Sequence, residues 1–152
     1  VMYTKSQLRN EQGEVKQILT FGPVSILPAY QRKGYGKIML EESFRRAAEL
    51  GYEVIVIFGN PDNYVGRGFK SCKKYNVCVG DGVFPAAMLV KELKTGVLDG
   101  TRWYFEESEA YNVDAARAEE FDKQFAPRRR SSVPVRRSST FTAIRSSGKL
   151  EK

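Results

Sequence analysis

The stretch SILPAYQRKGYGKIMLEESF, residues 25 to 44, contains the change of periodicity that decides the fold. An apolar run stops at a proline, a basic turn with Gly34 and Gly36 follows, and apolar residues then recur at helical spacing from Tyr35 to Leu50. This pattern predicts a glycine-rich loop that leads from a strand directly into the first turn of an amphipathic helix.

Strand-forming segments lie on both sides of this helix. Residues 15 to 27, VKQILTFGPVSIL, are rich in β-formers. Gly22-Pro23 in their middle predicts one long strand broken by a bulge, because proline cannot donate to a sheet ladder. After a helix stop at Gly51, the run YEVIVIF, residues 52 to 58, is typical of a strand covered on both faces. Strand, helix and strand within about 40 residues predict a right-handed βαβ unit with parallel strands.

Further strands and one more helix complete the predicted fold. Residues 1 to 7 are predicted to form a short strand, which the polar turn RNEQGE joins to the next strand as a hairpin. Residues 75 to 79 and 85 to 93 are predicted as two strands connected by the turn GDG, and Asp114 can cap a last helix. The fold class is therefore α+β, with a mixed sheet around a central βαβ unit.

The net charge of +7 is concentrated at one end of the chain. Residues 127 to 152 hold eight of the 25 Lys and Arg and one of the 18 Asp and Glu, so the remaining residues carry 17 charges of each sign. This segment is rich in Ser and Arg and poor in apolar residues, which predicts disorder. We therefore expect a folded domain over residues 1 to 126 and a disordered basic tail over residues 127 to 152.

The tail admits two interpretations. Its R-R-x-S spacing recurs at Ser131, Ser132 and Ser139, which suits a basophilic kinase, and phosphates there would weaken contacts with nucleic acid or anionic lipid. The other interpretation is a solvated extension without a role. Since the folded part carries no excess charge, we do not expect nucleic acid as a partner except through the tail.

Composition excludes several classes of site. The chain has no histidine, so Ser–His and Cys–His catalysis are excluded and a zinc site would need unusual ligands. Cys72 and Cys78 have the spacing of neither a zinc knuckle nor a redox CxxC pair, and two free thiols fit a reducing, cytoplasmic compartment. No run of about 18 or more apolar residues and no secretion leader is visible, so no membrane partner is expected. The lack of histidine and the cysteine spacing lead us to expect no metal either.

The basic turn matches neither of the common phosphate-binding loops. The dinucleotide fingerprint fails because Met39 stands at its third glycine. The Walker A motif fails because Ile38 follows Gly36-Lys37 and Gln31 stands at its first glycine. What remains is Q-x-x-G-x-G directly before a helix.

This remaining motif still suits a diphosphate. Gly34 and Gly36 let backbone N–H groups approach a ligand closely, and the helix that follows contributes its free N–H groups and the positive end of its dipole. Arg32, Lys33 and Lys37 surround the turn with positive charge. The alternative is a glycine-containing turn with solvated cations.

Three ordered motifs resemble the GNAT superfamily of acyl-CoA-dependent N-acyltransferases. The segment ILTFGPVSILPAYQRKGYG is similar to LGPLAVxPxxQxxGIG of a bacterial-type branch of small acetyltransferases. The segment IFGNPDNYVGRGF resembles that branch's GxPxYYxRFGF, and AAMLVKEL resembles its closing strand. The resemblance extends over residues 1 to 126 and implies a GNAT fold.

The resemblance implies a cleft for acetyl-CoA where the strand before the basic turn separates from its parallel neighbour. The pantetheine arm would pair with the backbone of this strand as an added strand, and the pyrophosphate would lie on the basic turn. The cofactor-binding residues implied in this way are Ser25, Ile26, Leu27, Gln31, Arg32, Lys33, Gly34, Tyr35, Gly36, Lys37 and Asn60.

The implied reaction is transfer of an acetyl group to an amine of a small molecule or a protein, by direct attack in a ternary complex. Tyr64 matches the tyrosine that protonates the departing thiolate, although a buried aromatic without a catalytic role is the alternative. No residue matches the family's general base. The second functional hypothesis is a CoA-binding or interaction module with little or no turnover.

Two departures from the family pattern bear on activity. The chain begins near the family's third strand, so we expect an N-terminally incomplete domain or a relative with a half-built acceptor side. Asn63 replaces an aromatic residue, and Arg67 stands where a phenylalanine packs, so its guanidinium needs solvent or a phosphate. For the acidic side chains of the predicted loop, residues 94 to 113, the alternatives are that they hold a cation or that they are only exposed to solvent. The acceptor and the oligomeric state, including a homodimer, are left open.

Overall fold

The structure is a computed structural model that describes residues 1 to 125. Residues Val1–Tyr111 form one compact unit, and the chain from Asn112 onward belongs to a second unit, which is described by itself. The predicted disordered tail, residues 127 to 152, lies outside the described residues.

The strands are β1 Tyr3–Asn10, β2 Val15–Phe21, β3 Val54–Phe58, β4 Lys70–Ser71, β5 Val77–Val79, β6 Met88–Glu92 and β7 Trp103–Glu106. The α-helices are α1 Tyr35–Glu49, α2 Pro61–Tyr64 and α3 Ala115–Asp122. In the described part of the chain the strands form one sheet, in the order β4-β6-β3-β2-β1-β7-β5.

The predicted hairpin and βαβ unit are confirmed. β1 pairs with β2 in antiparallel register, and the side-chain oxygen of Asn10 closes the turn by accepting from the N–H groups of Gln12 and Glu14 at 3.1 and 2.8 Å. β2 and β3 are parallel neighbours joined through α1, with Leu19 in register with Ile55. The helix lies over the sheet because its apolar stripe is buried there.

The long broken strand predicted for residues 15 to 27 is wrong in its second half. β2 ends at Phe21, and the last sheet-like contacts are Gly22 N–H to Met2 O at 3.1 Å and Met2 N–H to Pro23 O at 3.3 Å. Residues 24 to 27 continue outside the sheet. Proline has no N–H group, and the pairing with the N-terminal residues therefore stops at this position.

The strands near residues 75 to 93 do not form the predicted hairpin. β5 pairs in parallel with β7, whereas β6 lies between β3 and β4. Only an isolated bridge between Val79 and Val83 is found at the GDG turn. β7 lies within residues 94 to 113, which were predicted as a loop, and it buries Trp103 and Phe105 against β1.

Two clusters of buried side chains cover the two faces of the sheet. On the α1 face, the Phe69 ring meets the rings of Phe21 and Phe44 edge to face, while Phe21 and Phe44 are tilted by 37° to each other, with all centroids 5.7 to 6.1 Å apart. On the opposite face, Trp103 and Leu8 are buried in the other cluster. The sheet is therefore covered on both faces near β3, as the apolar run predicted.

The predicted C-terminal helix is confirmed within the second unit. The carboxylate of Asp114 accepts from the N–H groups of Ala116 and Arg117 at 2.9 and 3.2 Å, which satisfies two N-terminal donors of α3. Phe121 and Phe125 lie one turn apart, with ring centroids separated by 5.1 Å. Among residues 1 to 125, no helix has both the length and the apolar character that crossing a membrane requires.

We expect Phe69→Ala to lower the free energy of unfolding by about 3 to 5 kcal/mol, because truncation leaves a cavity among packed aromatic rings. Guanidinium denaturation followed by circular dichroism measures the loss. Val83→Ala, at a side chain that is 58% exposed, is the control and should change stability by less than about 0.5 kcal/mol. A loss below about 1 kcal/mol for Phe69→Ala would contradict the described core.

Candidate functional site

The candidate site lies where β2 and β3 separate. Their parallel register contains only the pair Leu19 and Ile55. Beyond this pair β3 continues to Phe58 and keeps its antiparallel partner β6, while β2 ends at Phe21. Within the described residues, the side of β3 that faces β2 therefore has no ladder partner beyond Ile55, and we call this unpaired side of β3 the cleft.

The chain that leaves β2 presents an unpaired backbone along this cleft. Among residues 1 to 125, the N–H groups of residues 24 to 27 donate to no protein acceptor. Exposure alternates along the segment, since Val24 and Ile26 are half-buried while Ser25 and Leu27 are exposed. An extended, half-anchored segment with free backbone groups is suited to pairing with an extended ligand.

The basic turn offers a second row of free backbone donors. The N–H groups of residues 32 to 36 have no protein acceptor in the described part of the chain, whereas Gln31 N–H donates to Pro28 O at 3.2 Å and Lys37 N–H to Gly34 O at 3.0 Å. We call residues 32 to 36 the amide loop. Gly34 is the N-cap of α1 and has no side chain to satisfy the first turn, so these donors point to an external acceptor.

The backbone conformation of the amide loop explains its residue types. Gly34 has a φ of 84°, where a side chain is strained, and Arg32 has a φ of 62°. Gln31 anchors the loop to the unpaired segment, because its Nε2 donates to Ile26 O at 2.8 Å. A Cβ at Gly36 would lie 3.8 Å from Ile26 Cγ1, so loop and segment are in close contact.

The three cations of the turn differ in their surroundings. Lys37 forms an ion pair with Glu41 at 3.7 Å, one helical turn further along α1. The Lys33 ammonium lies 5.7 Å from the centre of the Tyr30 ring. Arg32 forms no ion pair with any described residue, and it is exposed to solvent. The amide loop thus combines free N–H groups with positive charge, which is the chemistry that holds a phosphate.

Tyr64 lies at the opposite end of the unpaired segment. Its ring packs against Phe21, the last residue of β2, and against Phe69, with centroids 5.8 Å apart in both cases. The ring also lies over Gly59, which follows β3: a Cβ at that position would come within 2.8 Å of Tyr64 Cε2. The structure thus brings Tyr64 to the ends of both separating strands.

Two residues implied for cofactor binding, Asn60 and Gln31, also have protein partners. The side-chain oxygen of Asn60 accepts from Asp62 N–H at 3.0 Å and caps α2, so this oxygen serves the helix. Both the main-chain N–H and the side-chain amide of Gln31 are engaged by protein carbonyls. Gln31 therefore holds the amide loop in place, and the free donors begin at Arg32.

Arg67 is half-buried, so it reaches solvent only in part. Its Nη1 donates to Asn63 O, and its Nε is buried without a partner among the described residues. The Lys91 ammonium donates to Arg67 O at 2.9 Å and lies 5.4 Å from the centre of the Phe44 ring. Burial lowers the pKa of Lys91 below its ordinary value. These contacts fix the turn that follows Tyr64.

Two concave regions lie elsewhere on the molecule. An apolar groove of about 520 Å³ runs beside α1 and is lined by residues that include Tyr3, Leu19, Met39 and Leu50. A polar depression of about 340 Å³ lies next to Glu106, whose carboxylate is held by Arg9 at 2.8 Å and has its pKa lowered by that hydrogen bond. Neither region is lined by a residue implied for the cofactor. Of the acidic side chains within residues 94 to 113, that of Glu106 therefore pairs with the protein itself.

Two residues of the site, Phe21 and Gly59, are not identified by the sequence analysis. Phe21 is placed under Tyr64 by the unexpected end of β2, and Gly59 is required by the approach of the Tyr64 ring. A glycine directly after a strand and before a proline-initiated helix is a weak indication of such an approach. Only the packing of α2 on the sheet shows which ring it accommodates.

Comparisons with known proteins bear on the fold that carries this site. The family model described as "Acetyltransferase (GNAT) family" matches residues 9 to 69. No curated protein matches the sequence. The structure is similar to that of a GNAT family N-acetyltransferase, YhbS, from Escherichia coli in complex with CoA, with a TM-score of 0.62 and 23% sequence identity. The alignment covers 73% of this chain and 61% of that chain, so the match spans less than two thirds of the neighbour. The expected α+β GNAT fold is confirmed.

We expect Gly59→Ala to displace the Tyr64 ring and to lower the free energy of unfolding by about 1 to 3 kcal/mol, since the new methyl group would overlap Cε2. Denaturant titration together with the near-ultraviolet circular dichroism of tyrosine measures both effects. Gly66→Ala is the matched control, because a Cβ there meets no atom within 4 Å. Equal behaviour of the two variants would show that the ring does not lie on Gly59.

Proposed function

We propose, on the premise that the chain belongs to the GNAT superfamily, that it is an acyl-CoA-dependent N-acetyltransferase. Acetyl-CoA is the proposed donor, and an amine of a small molecule or protein is the proposed acceptor. One observation carries the proposal: the amide loop in front of α1 lies next to the unpaired segment of residues 24 to 27, and both have free N–H groups. A diphosphate joined to a long amide-containing arm matches this arrangement.

The proposed binding mode divides the co-substrate between these two features. The diphosphate accepts hydrogen bonds from the N–H groups of residues 32 to 36, and Arg32 and Lys33 compensate its charge. The pantetheine arm runs along Ser25, Ile26 and Leu27 and adds a strand at the open side of the sheet. The presence of CoA in the similar E. coli structure supports this choice of ligand.

In the proposed reaction the acceptor nitrogen attacks the carbonyl carbon of the thioester. The C–N bond forms, the C–S bond breaks, and the electron pair leaves with sulfur as the CoA thiolate. The N–H group of Ile26 has no protein acceptor among the described residues and is suited to stabilise the oxyanion, a contribution of about 3 kcal/mol for one such donor. Tyr64 donates its phenolic proton to the thiolate, the proton of the attacking amine passes to water, and the Tyr64 phenolate regains a proton from water.

The proposed catalytic domain extends over residues 1 to 126. Every residue to which we assign a role lies in the unit Val1–Tyr111. Among the described residues, no group of three His, Cys, Asp or Glu side chains is arranged to hold a metal ion. The proposed transfer requires none, because backbone donors and Tyr64 carry the charge and proton steps.

We expect the protein to bind acetyl-CoA in isothermal titration and Arg32→Asn to weaken binding about fivefold, because one cation next to the diphosphate is lost. Asparagine tolerates the left-handed backbone of position 32, so the charge is the main change. Lys70→Gln, at an exposed lysine on β4, is the control with the same loss of charge. Absence of binding by the unaltered protein would refute the proposed function.

We expect Tyr64→Phe to lower kcat by about 100-fold and to leave the dissociation constant of acetyl-CoA unchanged, because only the proton donor is removed. Release of free CoA thiol over a panel of amines measures the rate. Tyr104→Phe is the control, since that hydroxyl donates to Glu11 on the surface at 3.2 Å. Full activity of Tyr64→Phe would show that Tyr64 is not the proton donor. Binding without thiol release by the unaltered protein would favour a CoA-binding module.

A further inference from the structure

Two exposed tyrosines flank the amide loop. Tyr30 ends the short helical turn before it and is 53% exposed, and Tyr35 begins α1 and is 47% exposed. Their rings meet edge to face, with centroids 6.1 Å apart and planes inclined at 68°. Neither ring belongs to the two buried clusters. The pair therefore forms a small aromatic surface that the packing of the fold does not use.

This aromatic surface is part of the same loop as the free donors. The N–H group of Tyr35 is one of the unpaired donors of the amide loop, and Lys33 places its ammonium 5.7 Å from the centre of the Tyr30 ring. A cation over a tyrosine face at this distance is attracted by the ring electrons. Donors, cation and aromatic faces thus occupy one short stretch of chain, residues 30 to 36.

A diphosphate held by the amide loop has a substituent at each end. On the proposed function, the pantetheine end runs from the loop along residues 27 to 24 toward Tyr64. The nucleoside end must therefore extend from the loop in a different direction. The exposed aromatic surface is the feature next to the loop that an uncharged, flat heterocycle can contact.

We propose that Tyr30 and Tyr35 form a platform for the adenine ring of the acyl-CoA co-substrate, in which the base stacks on one ring and its edge meets the other, inclined at 68°. This inference rests on the proposed function and extends it, because it names the residues that recognise the nucleoside part. Stacking on an aromatic side chain tolerates an open, solvent-exposed site, since each base presents a flat π-face. The platform makes the protein prefer the complete coenzyme over its pantetheine half.

The alternative role for the pair is purely local: ring contact between Tyr30 and Tyr35 would stiffen the amide loop. The two roles differ in what they predict for a ligand without adenosine. A stiffening role affects every ligand of the loop, whereas a stacking role affects only ligands that carry the adenine ring.

Tyr30→Leu and Tyr35→Leu test the proposal, because leucine keeps apolar bulk and cannot stack. Coenzyme A and 4′-phosphopantetheine are the two probes, and ligand-observed NMR measures both tight and weak binding. We expect each Leu variant to raise the dissociation constant of coenzyme A about fivefold or more and to leave that of phosphopantetheine within about twofold. Tyr30→Phe and Tyr35→Phe keep the ring and should bind coenzyme A like the unaltered protein.

The NMR spectra contain a second readout that is independent of affinity. Stacking shifts the H2 and H8 signals of adenine upfield in the complex, and the Leu variants should lose this shift. Unchanged affinity and unchanged adenine shifts in both Leu variants would overturn the platform while leaving the proposed function intact. Equal weakening of both probes would also overturn it and support the stiffening role. Failure of the unaltered protein to bind coenzyme A would overturn the proposed function, and the platform with it.

Discussion

The loss of pairing between β2 and β3 beyond Leu19 and Ile55 is the constraint on which the candidate site depends. If the parallel ladder continued, the backbone groups of residues 24 to 27 would be hydrogen-bonded to β3 and the cleft would be closed. Because β2 stops at Phe21 while β3 keeps its partner β6, the sheet stays intact on one side and open on the other. The cleft is therefore a property of the backbone, and its rigid wall is a central strand buried on both faces.

Backbone hydrogen bonding decides which groups near the cleft can bind a ligand. Gln31 N–H and Lys37 N–H are satisfied within the protein, and the donors between them are not. The boundaries of the amide loop follow from the short helical turn that precedes it and from the left-handed Gly34 that caps α1. Gln31 then ties the loop to Ile26, so the two rows of donors are held next to each other. A ligand that spans both rows meets a preorganised surface, which lowers the entropic cost of binding.

At the other end of the cleft, aromatic packing takes the place of hydrogen bonds. Tyr64 is held by the rings of Phe21 and Phe69 and by the absence of a side chain at Gly59. The following turn accommodates Arg67 through Asn63 O, while the Lys91 ammonium binds the carbonyl of Arg67. Local polar contacts thus hold the turn at Arg67, although its Nε has no partner among the described residues, and the ring of Tyr64 lies beside both strand ends.

Local sequence patterns predict the elements that carry their own signal. The α1 stripe, the apolar run of β3, the Asp114 cap and the glycines of the basic turn all act through neighbours in the chain, so periodicity and backbone preference suffice to identify them. The end of β2, the four-residue strand β7 and its parallel pairing with β5 depend on open edges created by distant segments. The site likewise has a part that the sequence predicts, namely the glycines and cations near residue 34. Which amides stay free, and which glycine receives the Tyr64 ring, follow from long-range contacts that no local pattern encodes.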